Sequence, residues 1–469
     1  MKKTILRGGT IVNAERSLRA DVLIVDEHIE AIGADLVDTD AEIVDVTGRL
    51  LLPGLIDSHT HFDMPTSGTV TIDDFESGTL AALAGGTTAV VDFALQTDGS
   101  LLTGVETWKG KAAGKAYIDY GLHVAVTDAT DQAIDEMQEL VDGGVTSLKV
   151  FMAFKGAFQA DDGQLLRVLR RTRETGGLVQ VHAENGDAIE LLIGERLAAG
   201  QKAPHDHALS RPAVLEAEAT HRGIELARLA ERPIFFVHVS CAQAAQIIAD
   251  AQHADSPALG ETCTHYLSLT LDEVFRPDFE GAKYVCSPPL RTEHDQQELW
   301  KHLRHGTLGI VTTDHCSFDS TQKELGREDF SLMPNGLPTI QFRLAILYDR
   351  GVAEGRITVN DLVRVASTTP ARTFGLDGKG EIAPGMDADI VVFDTEGETD
   401  LSVANGFSRS DYSVFEGWRT RGAVDRVYSR GTLAFADGKP RVEPGHGRFV
   451  PRSLGPFGPG AITRRVQVA

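Results

Sequence analysis

Five side chains of metal-ligand type close four apolar runs of this chain, and a lysine sits inside a fifth. The first run ends Asp57-Ser-His59-Thr-His61, "VQVHAEN" carries His182, "FFVHVS" carries His238 and "VTTDHC" carries Asp314. Side chains alternate along a strand with period two, so His59 and His61 share one face. By the same rule His315 falls opposite Asp314 and is the weaker candidate. Imidazoles and carboxylates without thiolates suit Zn²⁺, with Mn²⁺, Co²⁺ or Fe²⁺ as alternatives. A second His-x-His pair, His205 and His207 in "APHDHAL", lies in a polar stretch and is expected on the surface.

The lysine is Lys149 of "VTSLKVFMAFKG". Burial there would favour its neutral amine. A neutral amine can add carbon dioxide, giving a carbamate with two anionic oxygens that can bridge two cations, whose charge would favour that form. The alternative is an ammonium that snorkels or pairs with a carboxylate of the site. With Lys149 the groups number six, more than one catalytic zinc with an open position needs, so two divalent ions are the expected count.

These residues need elements that bring them to one rim. Apolar runs at 55–61, 87–93, 121–127, 147–152, 178–184, 233–240, 259–265 and 308–315 alternate with helix-like stretches such as "DQAIDEMQELVDGG" and "DGQLLRVLRRTRETGG". Eight strand and helix alternations predict a (β/α)₈ TIM-like barrel, whose chemistry collects at the C-terminal strand ends. Residues 1–54 and 373–450 read instead as short β-strands broken by Gly and Asp. They are expected to form one small β-sandwich beside a barrel spanning 55–372, followed by an extended tail at 451–469.

The chain has 469 residues, 42% of them hydrophobic and 24% charged, and a formal charge of -23. That charge disfavours non-specific binding to nucleic acid or to anionic membranes. The four cysteines form no CxxC pair, no apolar run reaches membrane-spanning length, and Lys2 and Lys3 precede no signal-like segment. A cytoplasmic protein is expected.

The stretches "GLIDSHTHFDMPTSGTVTIDDFESGT", "SLKVFMAFKG", "VHAENG", "VHVS", "CSPPLR", "TTDHCSF", "MPNGLP" and "GMDADIVVFD" resemble, in order and spacing, the amidohydrolase superfamily and within it the dihydropyrimidinase and hydantoinase family. The resemblance implies His59, His61 and Asp314 on one ion, His182 and His238 on the other, and carboxylated Lys149 between them. It implies a hydroxide shared by the ions that opens a neutral cyclic amide to an N-carbamoyl amino acid, with Asp314 moving the proton. Ser287 and Asn335 would bind substrate largely through the backbone, Met64, Phe151 and Phe158 would shape the pocket, and Asp57 would orient the site without ligating. Members are commonly homotetramers.

Three neighbouring readings compete with this one. Dihydroorotase resembles this pattern but carries HxHxR, where this chain reads His61-Phe62-Asp63. Allantoinase also opens a hydantoin ring. Dihydropyrimidinase-related scaffold proteins have lost metal ligands that this chain keeps. The chain departs from its own family at Phe154, where the resemblance implies a tyrosine donating to the oxyanion.

Overall fold

In the computed structural model, which describes residues 2–458, the eight apolar runs become parallel strands of one sheet. They are β1 (Leu55–Thr60), β2 (Thr87–Leu95), β3 (Asp119–Ala125), β4 (Ser147–Phe151), β5 (Leu178–His182), β6 (Ile234–Phe236), β7 (Ala258–Cys263) and β8 (Ile310–Thr312). Helices follow most strands, and their starts are written in the sequence. Thr130 caps Asp131–Asp142, and Asp161 with Gln164 forms a reciprocal capping box at Asp162–Thr175, which ends on left-handed Gly176.

The barrel closes where β8 returns to β1, and this seam has little ladder. The bridge Thr60↔His315 and the bond from His61 N to His315 O (2.9 Å) are backbone links. Side chains supply the rest. Buried Arg343 donates to the carbonyls of Ile56 (2.8 Å) and Val311 (3.1 Å). Asp57 accepts from Thr313 Oγ1 (2.6 Å) and from the amides of Thr313 (3.3 Å) and His59 (3.2 Å). Asp57 thus ties the last strand's exit to the first strand.

Two of the expected strands fall shorter at their ends than the others. Runs at 233–240 and 308–315 were expected, yet β6 ends at Phe236 and β8 at Thr312. The chain leaves the ladder there because His238 (φ 40°) and Asp314 (φ 46°) adopt left-handed backbone, a costly conformation that concentrates at functional sites.

Both chain ends build a second body. Leu50–Pro53 pairs antiparallel with Ile390–Asp400 in a seven-stranded sheet, and Lys3–Arg7 lies in a four-stranded sheet with Asp21–Val25, His28–Gly33 and Glu42–Asp45. Leu6, Val22 and Ile24 of the smaller sheet pack with Leu51, Ile390 and Val392 of the larger one, making a sandwich. Pro53 runs directly into β1. Residues 451–458 are tied to the barrel floor, with Arg452 bonded to Ser147 Oγ (2.9 Å) and Phe457 buried against Phe235 and Ile310. Residues 459–469, the remainder of the expected tail, lie outside the described residues. Among the described residues no helix is long and apolar enough to cross a membrane.

Candidate metal centre and cavity

The strand-end residues converge. His59 Nε2 and His61 Nε2 each lie 3.1 Å from Asp314 Oδ1, so the ligand atoms of all three fall within 4.8 Å of one another. His182 Nδ1 lies 2.8 Å from His238 Nε2. Lys149, 1% exposed, has no hydrogen-bond partner for Nζ among the described residues and faces the rings of Phe93 and Phe151 at 5.1 and 5.2 Å. His315 turns away, its Nε2 3.0 Å from Asp73 Oδ2.

Two buried glutamates orient the imidazoles. Glu261 Oε1 lies 2.5 Å from His59 Nδ1 and accepts from His238 N (3.2 Å). Glu184 Oε2 lies 2.8 Å from His182 Nε2 and accepts from Arg211 Nη1 (2.7 Å). Each carboxylate engages the outer ring nitrogen and leaves the inner one to face the centre, the arrangement that surrounds metal-ligating histidines elsewhere. The sequence reading missed Glu184, Glu261 and Arg211.

Electrostatics at these groups are strongly perturbed. Burial lowers the pKa of His59, but Asp314 and Glu261 outweigh it and raise the group to about 9. Burial takes His61 down to about 4. Burial likewise takes the Lys149 amine from 10.5 to about 7, against the pull of Asp314 and Glu261. Burial would raise Asp314, yet His59 and His61 hold its carboxyl well below the usual range. An unpartnered buried amine beside imidazole and carboxylate oxygens fits a carbamate and two divalent ions better than it fits a packed core.

A cavity of about 230 Å³ opens over these groups. Met64, Phe151, Phe154 and Phe158 form its apolar wall, Ser287 and Asn335 its polar side, and among the described residues no arginine lines it. Phe62 is fully buried against Phe75, and Asp63 faces Lys111 outside the cavity. The Phe154 ring lies 4.8 Å from the His182 ring, with the Arg211 guanidinium 5.2 Å from its centroid. A larger groove of about 940 Å³, near Pro257 and Gly260 at the strand starts, holds none of the six candidate ligands.

His207 departs from expectation. The stretch read as polar surface folds as the helix Pro204–Leu209, and His207 is 3% exposed, its Nε2 3.0 Å from Ser287 Oγ. The helix turns His207 inward while His205 stacks on Phe275 at 4.6 Å.

Residues 50–434 match the Amidohydrolase family. A D-hydantoinase of Streptomyces coelicolor is 46% identical over 459 residues, covering 96% of this chain and 98% of that protein. A D-hydantoinase of Geobacillus stearothermophilus is 48% identical over 96% of both chains. The crystal structure of dihydropyrimidinase from Brevibacillus agri superposes with a TM-score of 0.95 at 49% identity, covering 96% of this chain and 99% of that one. With that similarity extending from the sandwich through the barrel and its rim, the chain belongs to the amidohydrolase family, in its dihydropyrimidinase and hydantoinase branch.

Proposed function

We propose that the protein hydrolyses a neutral cyclic amide, a dihydropyrimidine or 5-substituted hydantoin, to the N-carbamoyl amino acid. The observation that carries this reading is the meeting of His59, His61 and Asp314 within 4.8 Å beside the unpartnered amine of Lys149, under a cavity that no arginine lines among the described residues.

His59, His61 and Asp314 would hold one divalent ion, His182 and His238 the second, and Lys149, carboxylated by carbon dioxide, would reach both. Zn²⁺ suits these donors best, with Mn²⁺, Co²⁺ or Fe²⁺ as alternatives. Bound ions of this kind supply Lewis acidity, lowering the pKa of a water and polarising the amide carbonyl.

The chain's own groups do the rest. Asp314, whose side chain is 12% exposed at the cavity, takes one proton from the attacking water as its oxygen bonds to the ring carbonyl carbon. The ring C–N bond then breaks, and Asp314 returns that proton to the departing nitrogen. Backbone groups at Ser287 and Asn335 hold the ring's polar edge. Met64, Phe151, Phe154 and Phe158 exclude water and receive an uncharged substituent. The reading extends to a cytoplasmic homo-oligomer, tetrameric by resemblance, whose four buried cysteines are free thiols.

Phe154 favours a second reading within the same chemistry. Without a tyrosine hydroxyl at that position, the alternative is an allantoin-like or other cyclic amide or imide as substrate. Ring opening of dihydrouracil, 5-substituted hydantoins, allantoin and dihydroorotate by metal-loaded protein separates these readings. Turnover of neutral rings is expected; turnover of dihydroorotate alone, or of none, refutes the proposal.

A further inference from the structure

Lys149 has a counterpart. Lys323 is also 1% exposed, but its Nζ donates to the carbonyls of Val285 (3.0 Å), Pro334 (2.7 Å) and Gly336 (3.0 Å). An ammonium has three N–H donors, and each finds one of these acceptors. Among the described residues no carboxylate lies within ion-pair distance of Lys323; beside the three carbonyls its Nζ faces the Phe318 ring at 5.5 Å, and burial lowers its pKa to about 7. A methionine would fill the volume without the cost of burying a charge, but would leave three buried carbonyls with one partner fewer.

The carbonyls it gathers are not scattered. Val285 stands two residues before Ser287, and Pro334 and Gly336 flank Asn335, so one ammonium joins the two segments on the cavity's polar side. Gly336 N also donates to Val285 O (3.0 Å). The approach is close enough to restrict residue types. A Cβ on Gly326 would lie 2.3 Å from Met333 Cβ, and one on Gly336 would lie 2.2 Å from Cys316 O. Lys323 reaches this place from the short helix Ser320–Lys323, which Asp319 and Gln322 start with a capping box. It does not itself line the cavity.

We infer that Lys323 is a positioning residue for substrate: by holding the carbonyls of Val285, Pro334 and Gly336 on one ammonium, it sets the separation of the Ser287 and Asn335 segments and so the affinity for the ring. The inference rests on the proposal above that these segments bind the ring. The metal groups stand on other segments, so loss of Lys323 is expected to act first on substrate binding; Leu337 O accepts from Cys316 N (3.3 Å), two residues after Asp314, so metal content is measured alongside KM.

The test compares wild type with Lys323→Met and Lys323→Gln, the latter keeping two donors, on the ring substrate that wild type turns over best. KM is expected to rise about tenfold in Lys323→Met and by less in Lys323→Gln, with kcat within about threefold and the metal content of wild type. Amide hydrogen exchange is expected to quicken at 285–288 and 334–337. A role in stability alone predicts a lower melting temperature with unchanged KM, and that result overturns the inference. Should Lys323→Met not accumulate as folded protein, Lys323→Gln carries the same readouts. Absence of wild-type turnover overturns the site proposal and this inference with it; wild-type turnover with unchanged KM in the folded variant overturns this inference alone.

Discussion

Replacing Glu261 by glutamine changes a charge with almost no change of shape, and the structure sets the size of the effect. Glu261 is fully buried and works through one oxygen, Oε1, 2.5 Å from His59 Nδ1 and 3.2 Å from His238 N. The amide carbonyl of glutamine can accept the same bonds, so the loss is the negative charge behind His59. Losing such a partner lowers metal affinity about 10–100-fold, roughly 1.4–2.8 kcal/mol. A second effect opposes it. In the metal-free protein His59 has its pKa raised to about 9, because Asp314 and Glu261 outweigh burial. The imidazole is therefore charged at neutrality, and ligation must displace its proton at a cost of about 3 kcal/mol near pH 7. Without the Glu261 charge that pKa falls, the proton leaves more easily, and part of the deficit is hidden. Near pH 9.5 His59 is mostly neutral in both proteins and nearly the whole deficit, about 10–100-fold, is expected to show. Competition with a chromophoric chelator for Zn²⁺, using metal-stripped protein at both pH values, measures this. Equal affinities at both, or a larger deficit at the lower pH, would refute the reasoning.

Lys149→Ala is expected to lose bound metal and at least about 10³ of turnover, with partial recovery on adding a short carboxylic acid that stands in for the carbamate. Wild-type metal content and rate without additive would dismiss the carbamate. Because the free amine is lowered to about 7, metal-stripped protein given bicarbonate and Zn²⁺ is expected to regain activity more slowly as pH falls below that value, where the ammonium cannot add carbon dioxide; a rate independent of pH speaks against it. Phe154→Tyr is expected to raise turnover of dihydrouracil or a hydantoin about tenfold, part of the 10²–10³ that one oxyanion donor contributes. An unchanged or lower rate shows that the wall beside His182 and Arg211 does not aim the hydroxyl at the reacting carbonyl.

The barrel was legible because strands buried on both faces read as unbroken apolar runs, five of the candidate ligands because polar residues ending such runs stand out, and Lys149 because a charge inside one does. What was missed follows from the same physics. Glu261 is a charged residue inside an apolar strand, the signal that singled out Lys149, and Glu184 shares the face of His182 two residues on; the sequence reading did not apply its own rule to either. Arg211 and Lys323 stand in polar stretches where a buried cation looks like any solvated one. His207 was misplaced because a polar stretch can form a helix with one face inward. The early ends of β6 and β8 depend on left-handed backbone at His238 and Asp314, residue types that do not announce it.

The sparse seam between β1 and β8 bears on when the metal centre can exist during synthesis. Asp314 follows His61 by 253 positions, so a nascent chain displays its His-x-His pair long before the carboxylate that completes the first site has been made. On the metal assignment proposed above, until β8 docks through Arg343 and Asp57 that pair would be an ordinary weak chelate open to any passing cation. If the site binds metal as proposed, its selectivity would be a property of the closed barrel, and uptake there would report that the first and last strands have met.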